Sequence, residues 1–480
     1  MTALYGRGDA NVGAESTAAS ACPDFASSGK AAPSGPAVAP VAAALVLLLT
    51  TFLHLALKPY LPDGIFVVLF AVEVFAMALW FERAKVRLRG VGAVECAFAL
   101  YLLWNLYSMY YPHKYPAADP LTGQVFSVPR FIMTGVMVPF LMYVVGRYAF
   151  NRESFVRLLL WVVVFMAGYS AAVSIMQFTG PKALVWPRFI VDGSLTPGVD
   201  TWADRALGVF NQPVVNGMTM VLGFAIAMML ASRRTEPVIL RWVAAVTAIA
   251  CGFGIYFTYT RAVWLSAVLA IVLGALLAKG SRRGFVVSIA IVAAAVATNW
   301  STFTSADRNA GGIGSASEVD DRMNIIQTAL WAAAREPFTG WGIQRFQAIN
   351  TYHHQQWSPE VPWGNGYGIV SHTNEMGMLA ELGLIGLGLW VTVLLLIVRR
   401  LWTAYRTMPD RTLCGKPLVV IASIALAVMF SSGLTVDLRL FDFPTAVVFL
   451  IVGTAVGWSD RARAADASRP AVAQTVSAHG

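Results

Sequence analysis

Ser371-His372-Thr373-Asn374-Glu375 opens an apolar run that continues Met376-Gly377-Met378-Leu379-Ala380-Glu381-Leu382-Gly383. An imidazole at such a junction has the basicity to take a proton from a hydroxyl. A histidine at a helix start is also, by itself, an ordinary cap or interfacial residue. Glu381 lies about 13 Å further along at 1.5 Å per helical residue. An ionisable side chain that deep in an apolar run faces the bundle interior and has a partner or a purpose. Gly377, Gly383, Gly386 and Gly388 allow close helix packing.

Two arginines could act on an anion. Arg261, in Thr258-Tyr259-Thr260-Arg261-Ala262-Val263-Trp264, stands at the junction of two apolar runs. Arg322 precedes Trp331-Ala332-Ala333-Ala334-Arg335-Glu336-Pro337-Phe338-Thr339-Gly340-Trp341-Gly342. A guanidinium grips phosphate through two parallel hydrogen bonds and stays charged at any relevant pH. The competing readings are a side chain snorkelling to lipid headgroups and a solvated helix face.

The elements that must position these residues are apolar. The 480 residues are 57% hydrophobic and 13% charged, with a mean hydropathy of +0.62, whereas about a quarter of an average soluble chain is charged. Twelve segments read as transmembrane helices: 37–57, 64–81, 91–109, 131–148, 155–177, 214–231, 239–257, 262–278, 284–300, 373–398, 417–433 and 445–458. Hydrocarbon demands helices, because each backbone polar group must be satisfied within its own segment. The fold class is therefore an all-α polytopic membrane protein of about 12 transmembrane helices, spanning 37–458.

Lysine and arginine set the orientation. The pieces 1–36, 82–90, 147–157, 231–241, 278–284, 399–416 and 459–480 hold 23 of the 35 basic residues, which places them, and both termini, in the cytoplasm. The net charge of +9 then reflects topology and not nucleic acid. Residues 1–36, rich in Ala, Ser, Gly and Pro without an apolar core, read as a disordered tail. Residues 459–480 read as a short cytoplasmic tail. Four cysteines form no disulfide framework and no pair has metal-ligand spacing.

Two outward pieces are long, about 178–213 and 301–372, and loops of that length are usually functional or disordered. The second holds an amphipathic stretch with Val319, Met323, Ile326, Leu330 and Ala333 or Ala334 at spacings of three and four. Ser317-Glu318-Val319-Asp320 resembles a capping box, and Pro337 ends the run. The expected element is a helix near the outer membrane surface. His353 and His354, adjacent in an extended loop, point to opposite sides, so a shared metal ion is not expected.

The ordered set of a junction Arg, an Arg-bearing helix ending in Pro-Phe-Thr-Gly-Trp-Gly, and His372 followed by Glu381-Leu382-Gly383 resembles the core of the O-antigen ligase and O-antigen polymerase family. The resemblance spans about 200–395. Arg205-Ala206-Leu207-Gly208-Val209-Phe210-Asn211-Gln212-Pro213 looks like its opening, and Asp437 to Pro444 like a trailing outer loop. Thr373 stands where an Asn often follows the histidine.

Membership would imply transfer of a glycan from a polyprenyl diphosphate carrier to an acceptor hydroxyl on the periplasmic face of the inner membrane. His372 would then be the general base. Arg261 and Arg322 would hold the diphosphate, with Arg205 a weaker candidate, and Glu375 and Glu381 would orient His372 or its helix. No cofactor or metal is implied. The acceptor is a growing glycan in a polymerase or lipid A–core in a ligase, and the residues serve both. A protein-glycosylating relative would carry extra C-terminal periplasmic sequence. From another class, a twelve-helix secondary transporter has the same topology, but would show internal repeats and charged or broken helices at midplane. A scaffold without chemistry is the remaining alternative.

Overall fold

The computed structural model describes residues 37–62, 64–84, 91–192, 205–305 and 317–477. The expected tail 1–36 and parts of both long loops lie outside the described residues. A helix coincides with each of the twelve apolar segments. They are α1 (Val38–Phe52), α2 (Ile65–Arg83), α3 (Ala93–Tyr110), α4 (Val128–Ala149), α5 (Glu153–Thr179), α6 (Pro213–Ala231), α7 (Val238–Phe257), α8 (Arg261–Leu277), α9 (Arg282–Thr298), α11 (Asn374–Thr407), α12 (Lys416–Gly433) and α13 (Asp442–Ser477). A further helix, α10 (Ser317–Arg335), lies between α9 and α11.

Among the described residues, eight helices are long and apolar enough to cross a membrane: α2, α4, α5, α6, α7, α11, α12 and α13. Helices α1 and α8 are apolar but shorter. The chain is a multi-pass, all-helical membrane protein.

Helix α6 is buried along nearly its whole length, surrounded by α5, α7, α8 and α12. Pro213 occupies its first turn, where a missing N–H costs nothing, and the Gln212 side chain accepts the Val214 N–H at 2.8 Å. Helix α13 lies along α4 with glycines at the seam. A Cβ on Gly453 or Gly457 would fall 2.1 or 2.0 Å from the carbonyls of Tyr143 or Arg147, so small residues one turn apart set the approach of the two backbones. At one end of this pair Arg147 is bonded to Glu95 and to Asp460, and Arg400 also reaches Asp460.

Helix α11 is interrupted. Gly383 has φ +66° and ψ −170°, and the chain Pro337–Gly342 fills the gap. Trp341 N and Gly342 N donate to the carbonyls of Ala380 and Glu381 at 3.0 and 2.9 Å, and Leu384 N donates to Pro337 O at 2.7 Å. The inserted segment thus replaces hydrogen bonds that the break removes, which is what irregular backbone at membrane depth requires. Neither glycine here tolerates a side chain, since a Cβ on Gly383 would meet Phe338 O at 2.3 Å and one on Gly340 would meet Glu381 O at 2.5 Å.

One expectation needs correction. Of the four glycines read as packing positions in α11, Gly383 breaks the helix and Gly388 has open space around it. On α10, Val319 and Leu330 of the apolar stripe are exposed, and Met323 and Ile326 are half-buried. The buried face holds Asn324, Ile325, Thr328, Ala329 and Ala332. Ile325, Ala329 and Ala332 pack with Phe346, Ile349 and, on α11, Ala380, while the polar positions meet a loop, whose backbone asks for hydrogen bonds. Asn324 Nδ2 donates to Pro362 O and Asn365 O at 3.0 and 3.1 Å, its Oδ1 accepts Trp357 N at 2.8 Å, and Thr328 Oγ accepts Gln355 N at 2.9 Å.

Candidate functional site

His372 stands just before α11, which begins at Asn374 and not at the histidine. Ser371 Oγ donates to Thr373 O at 2.7 Å and accepts Thr373 N at 3.3 Å, closing a tight turn around the imidazole. Thr373, with extended backbone, caps the helix and receives Gly377 N at 3.0 Å. The ring is half-buried. Its pKa lies below the ordinary histidine value, first through burial and then through the nearby Arg322 charge, with Glu318 opposing. The imidazole is therefore held neutral at neutral pH, the form that accepts a proton.

Arg322 lies on the second turn of α10 and is half-buried. Burial lowers its pKa, Arg261 and Arg205 lower it further, and Glu318 and Asp321 act in the other direction. Three arginines from separate parts of the chain therefore share one electrostatic neighbourhood, and of the three it is Arg322 whose charge acts on His372.

Each of the other two is fixed locally. Arg261 is the first residue of α8, reached through a turn in which Tyr259 takes φ +43° between the rings of Phe178 and Tyr256. Thr260 Oγ bonds Thr258 O at 2.8 Å and so shapes that turn. Arg205 is buried and bonds Glu318 at 2.7 Å, tying its segment to the first turn of α10. Its own backbone is pinned by Gln177 Nε2 on Arg205 O at 3.0 Å, while Ala206 N reaches Phe257 O at 2.9 Å. Gly208, at φ +58°, lets this chain pass Asn216, whose Oδ1 a Cβ would meet at 2.1 Å.

The two glutamates lie apart from this group. Glu381 is buried, bonds Arg439 at 3.0 Å and accepts Phe346 N at 3.1 Å. Arg439, itself buried, also bonds Asp437 at 2.6 Å. Glu381 therefore holds the break in α11 to the Asp437–Arg439 turn, and Glu375 faces the same Asp437 and Arg439 charges. Sequence reasoning passed over Arg439 and Glu318. The signal for Arg439 was the one used for Arg261, an arginine at the outward end of a helix.

His353 and His354 point to different partners. His353 stacks on Trp331 and bonds Tyr115 Oη at 2.6 Å, whereas His354 bonds Asn350 Oδ1 and Trp363 O, both at 2.7 Å. Among the described residues no group of three His, Cys, Asp or Glu converges as a metal site.

Residues 243–391 match the family model described as O-antigen ligase. The matched stretch runs from α7 into the upper half of α11 and contains Arg261, Arg322, His372, Glu375 and Glu381; Arg205 precedes it. No curated protein matches the chain. The match supports assignment to the O-antigen ligase and polymerase family.

Proposed function

We propose that this chain transfers a glycan from a polyprenyl diphosphate carrier to an acceptor hydroxyl, on the periplasmic side of the bacterial inner membrane. The observation that carries the reading is the gathering of Arg205 and Arg261 around Arg322, whose charge in turn acts on one neutral imidazole, His372. Cations forced together in a partly buried site are relieved by a multivalent anion, and a diphosphate has the charge and the oxygens to bridge them.

In this mechanism the acceptor oxygen attacks the anomeric carbon of the donor sugar. A new C–O bond forms as the bond from that carbon to the diphosphate oxygen breaks, and the acceptor proton passes to His372 Nδ1 or Nε2. Polyprenyl diphosphate leaves with its negative charge, which Arg261 and Arg322 stabilise, with Arg205 behind them. Displacement in one step inverts the anomeric configuration. Glu381, through Arg439 and the α11 break, fixes the segment that presents His372. Both ligation to lipid A–core and polymerisation of repeat units fit this scheme. The family match gives the transporter alternative no support.

The deciding experiment is His372→Gln, which retains hydrogen bonding but not basicity. Transfer by the purified, folded variant should fall about 100- to 10,000-fold while donor binding persists; a wild-type rate would falsify the assignment. Orientation is tested separately. In a cysteine-free background, Ser358→Cys should react with an impermeant thiol reagent in intact spheroplasts and Thr407→Cys should not.

A further inference from the structure

A second outward cavity, separate from the arginine–histidine site, lies between the α1–α2 connection and the first turns of α4. Its volume is about 500 Å³. One wall is apolar, with Leu61, Phe66, Phe70, Met133 and Met137 among its residues. Lys58, Arg130 and His54 also line it. Lys58 and Arg130 are exposed.

Arg130 is held in place by a relay. Asp442 Oδ2 lies 2.8 Å from His54 Nδ1, and His54 Nε2 lies 3.4 Å from Arg130 NH2. The tautomer that gives its Nδ1–H to the carboxylate leaves Nε2 to accept from the guanidinium. The wall itself is unusual, because α4 is π-helical over Met133–Met137, and single π turns inside α-helices recur at functional sites. Met133 and Met137, at the two ends of that turn, both line the cavity. From the same π turn Gly135 touches Arg439, so the cavity backs onto the Glu381–Arg439–Asp437 group.

The α2 surface that runs down from the cavity bears exposed Val67, Val68, Val72 and Phe75, an apolar face suited to acyl chains. On the orientation proposed above, Lys58 and Arg130 lie on the outer side, where positive charge is not needed to set topology. Two cations at the level of the headgroups, over an apolar wall that leads into hydrocarbon, match an amphiphile with a phosphate head.

We infer that this cavity seats the phosphate-bearing headgroup of an outer-leaflet lipid, with Lys58 and Arg130 on the phosphate and the acyl chains along α2. It is a lipid site additional to the diphosphate site at His372.

The test is a titration of the purified full-length protein in detergent micelles, with bound lipid counted by native mass spectrometry. Phosphatidylglycerol is the anionic probe and phosphatidylcholine the zwitterionic one. Wild type should bind one more phosphatidylglycerol than the Lys58→Gln/Arg130→Gln variant, with affinity at that site about thirtyfold higher. Phosphatidylcholine binding should be the same in both. Met137→Trp, which fills the cavity and keeps both charges, should lose the same lipid. Equal phosphatidylglycerol binding by wild type and both variants overturns the site. Displacement of the lipid by millimolar inorganic phosphate overturns the lipid assignment in favour of a free-phosphate site. Transfer activity does not enter the measurement, so its outcome is independent of the proposed reaction.

Discussion

Two groups of arginines stand at opposite ends of the helix bundle and differ in what surrounds them. At one end Arg147 is bonded to both Glu95 and Asp460, Arg400 to Asp460, and Arg461 to the carbonyls of Arg147 and Phe150 at 3.1 Å. Carboxylates and carbonyls there are interleaved with the cations, and the group knits α3, α4, α11 and α13 together. At the other end Arg205, Arg261 and Arg322 crowd one another around Glu318. The same residue type is a clamp between helices in the first setting and, in the reading proposed above, an anion-binding group in the second. Arginine's role follows from the sign of its neighbours, not from its depth.

Exchanging the two groups' fates by mutation would break this contrast. The largest effects should come from deletion. Arg322→Ala and Arg261→Ala should each lower transfer about 100- to 1,000-fold, the scale for losing one donor to developing charge, while thermal stability in detergent barely changes. Arg147→Ala should do the opposite, removing about 3–5 kcal/mol of stability by stranding buried Glu95, with activity per folded molecule retained. Full activity in both outer variants would end the case for an anion clamp.

Charge-preserving changes should be milder and still distinguish the ends. Arg322→Lys should recover only part of the rate, about tenfold below wild type, because a point charge cannot make two parallel hydrogen bonds. Arg400→Lys, at a partly exposed pair, should shift stability by about 1 kcal/mol or less.

The smallest effect is on pH dependence. Burial and then Arg322 lower the His372 pKa, so the base stays neutral to more acid pH than an ordinary histidine. The transfer rate should fall on acidification with a midpoint below 6.5. Residual activity of Arg322→Gln should show that midpoint moved to higher pH. Glu318→Gln removes an opposing charge and should move it lower. A pH–rate profile that is the same in all three proteins would remove His372 from the titration.

The helices were legible because the sequence period and the solvent agree. Each apolar segment has to satisfy its own backbone, so a helix stands at each of the twelve runs, most with ends within a few residues, although α11 and α13 run on to Thr407 and Ser477. Arg261, Arg322 and His372 were legible as chemistry out of place at helix ends. The inward polar contacts of α10 were not, because they are made to a loop. Asn324 and Thr328 point inward to satisfy carbonyls and N–H groups that no sequence pattern announces. Arg439 carried the same signal as Arg261, but its bond to Glu381 spans distant parts of the chain and shows only in the structure. Gly383 looked like a packing glycine, since a small residue that lets helices touch and one that turns the chain are the same letter.

The interruption in α11 also fixes an order of assembly. The upper half of that helix cannot complete its own ladder; Pro337 to Gly342, about forty residues earlier in the chain, supplies the missing partners. Until that earlier segment is docked, carbonyls of Ala380 and Glu381 would face hydrocarbon, at several kcal/mol for each unsatisfied group. The segment ahead of α11 must therefore be in place before the helix can come to rest in its interrupted form. A chain stalled during synthesis just after Gly383 would hold α10 and its loop without their seat, and His372 would acquire its fixed position only as α11 closes around the insert. Competence for chemistry is then the last thing this region acquires as it is made.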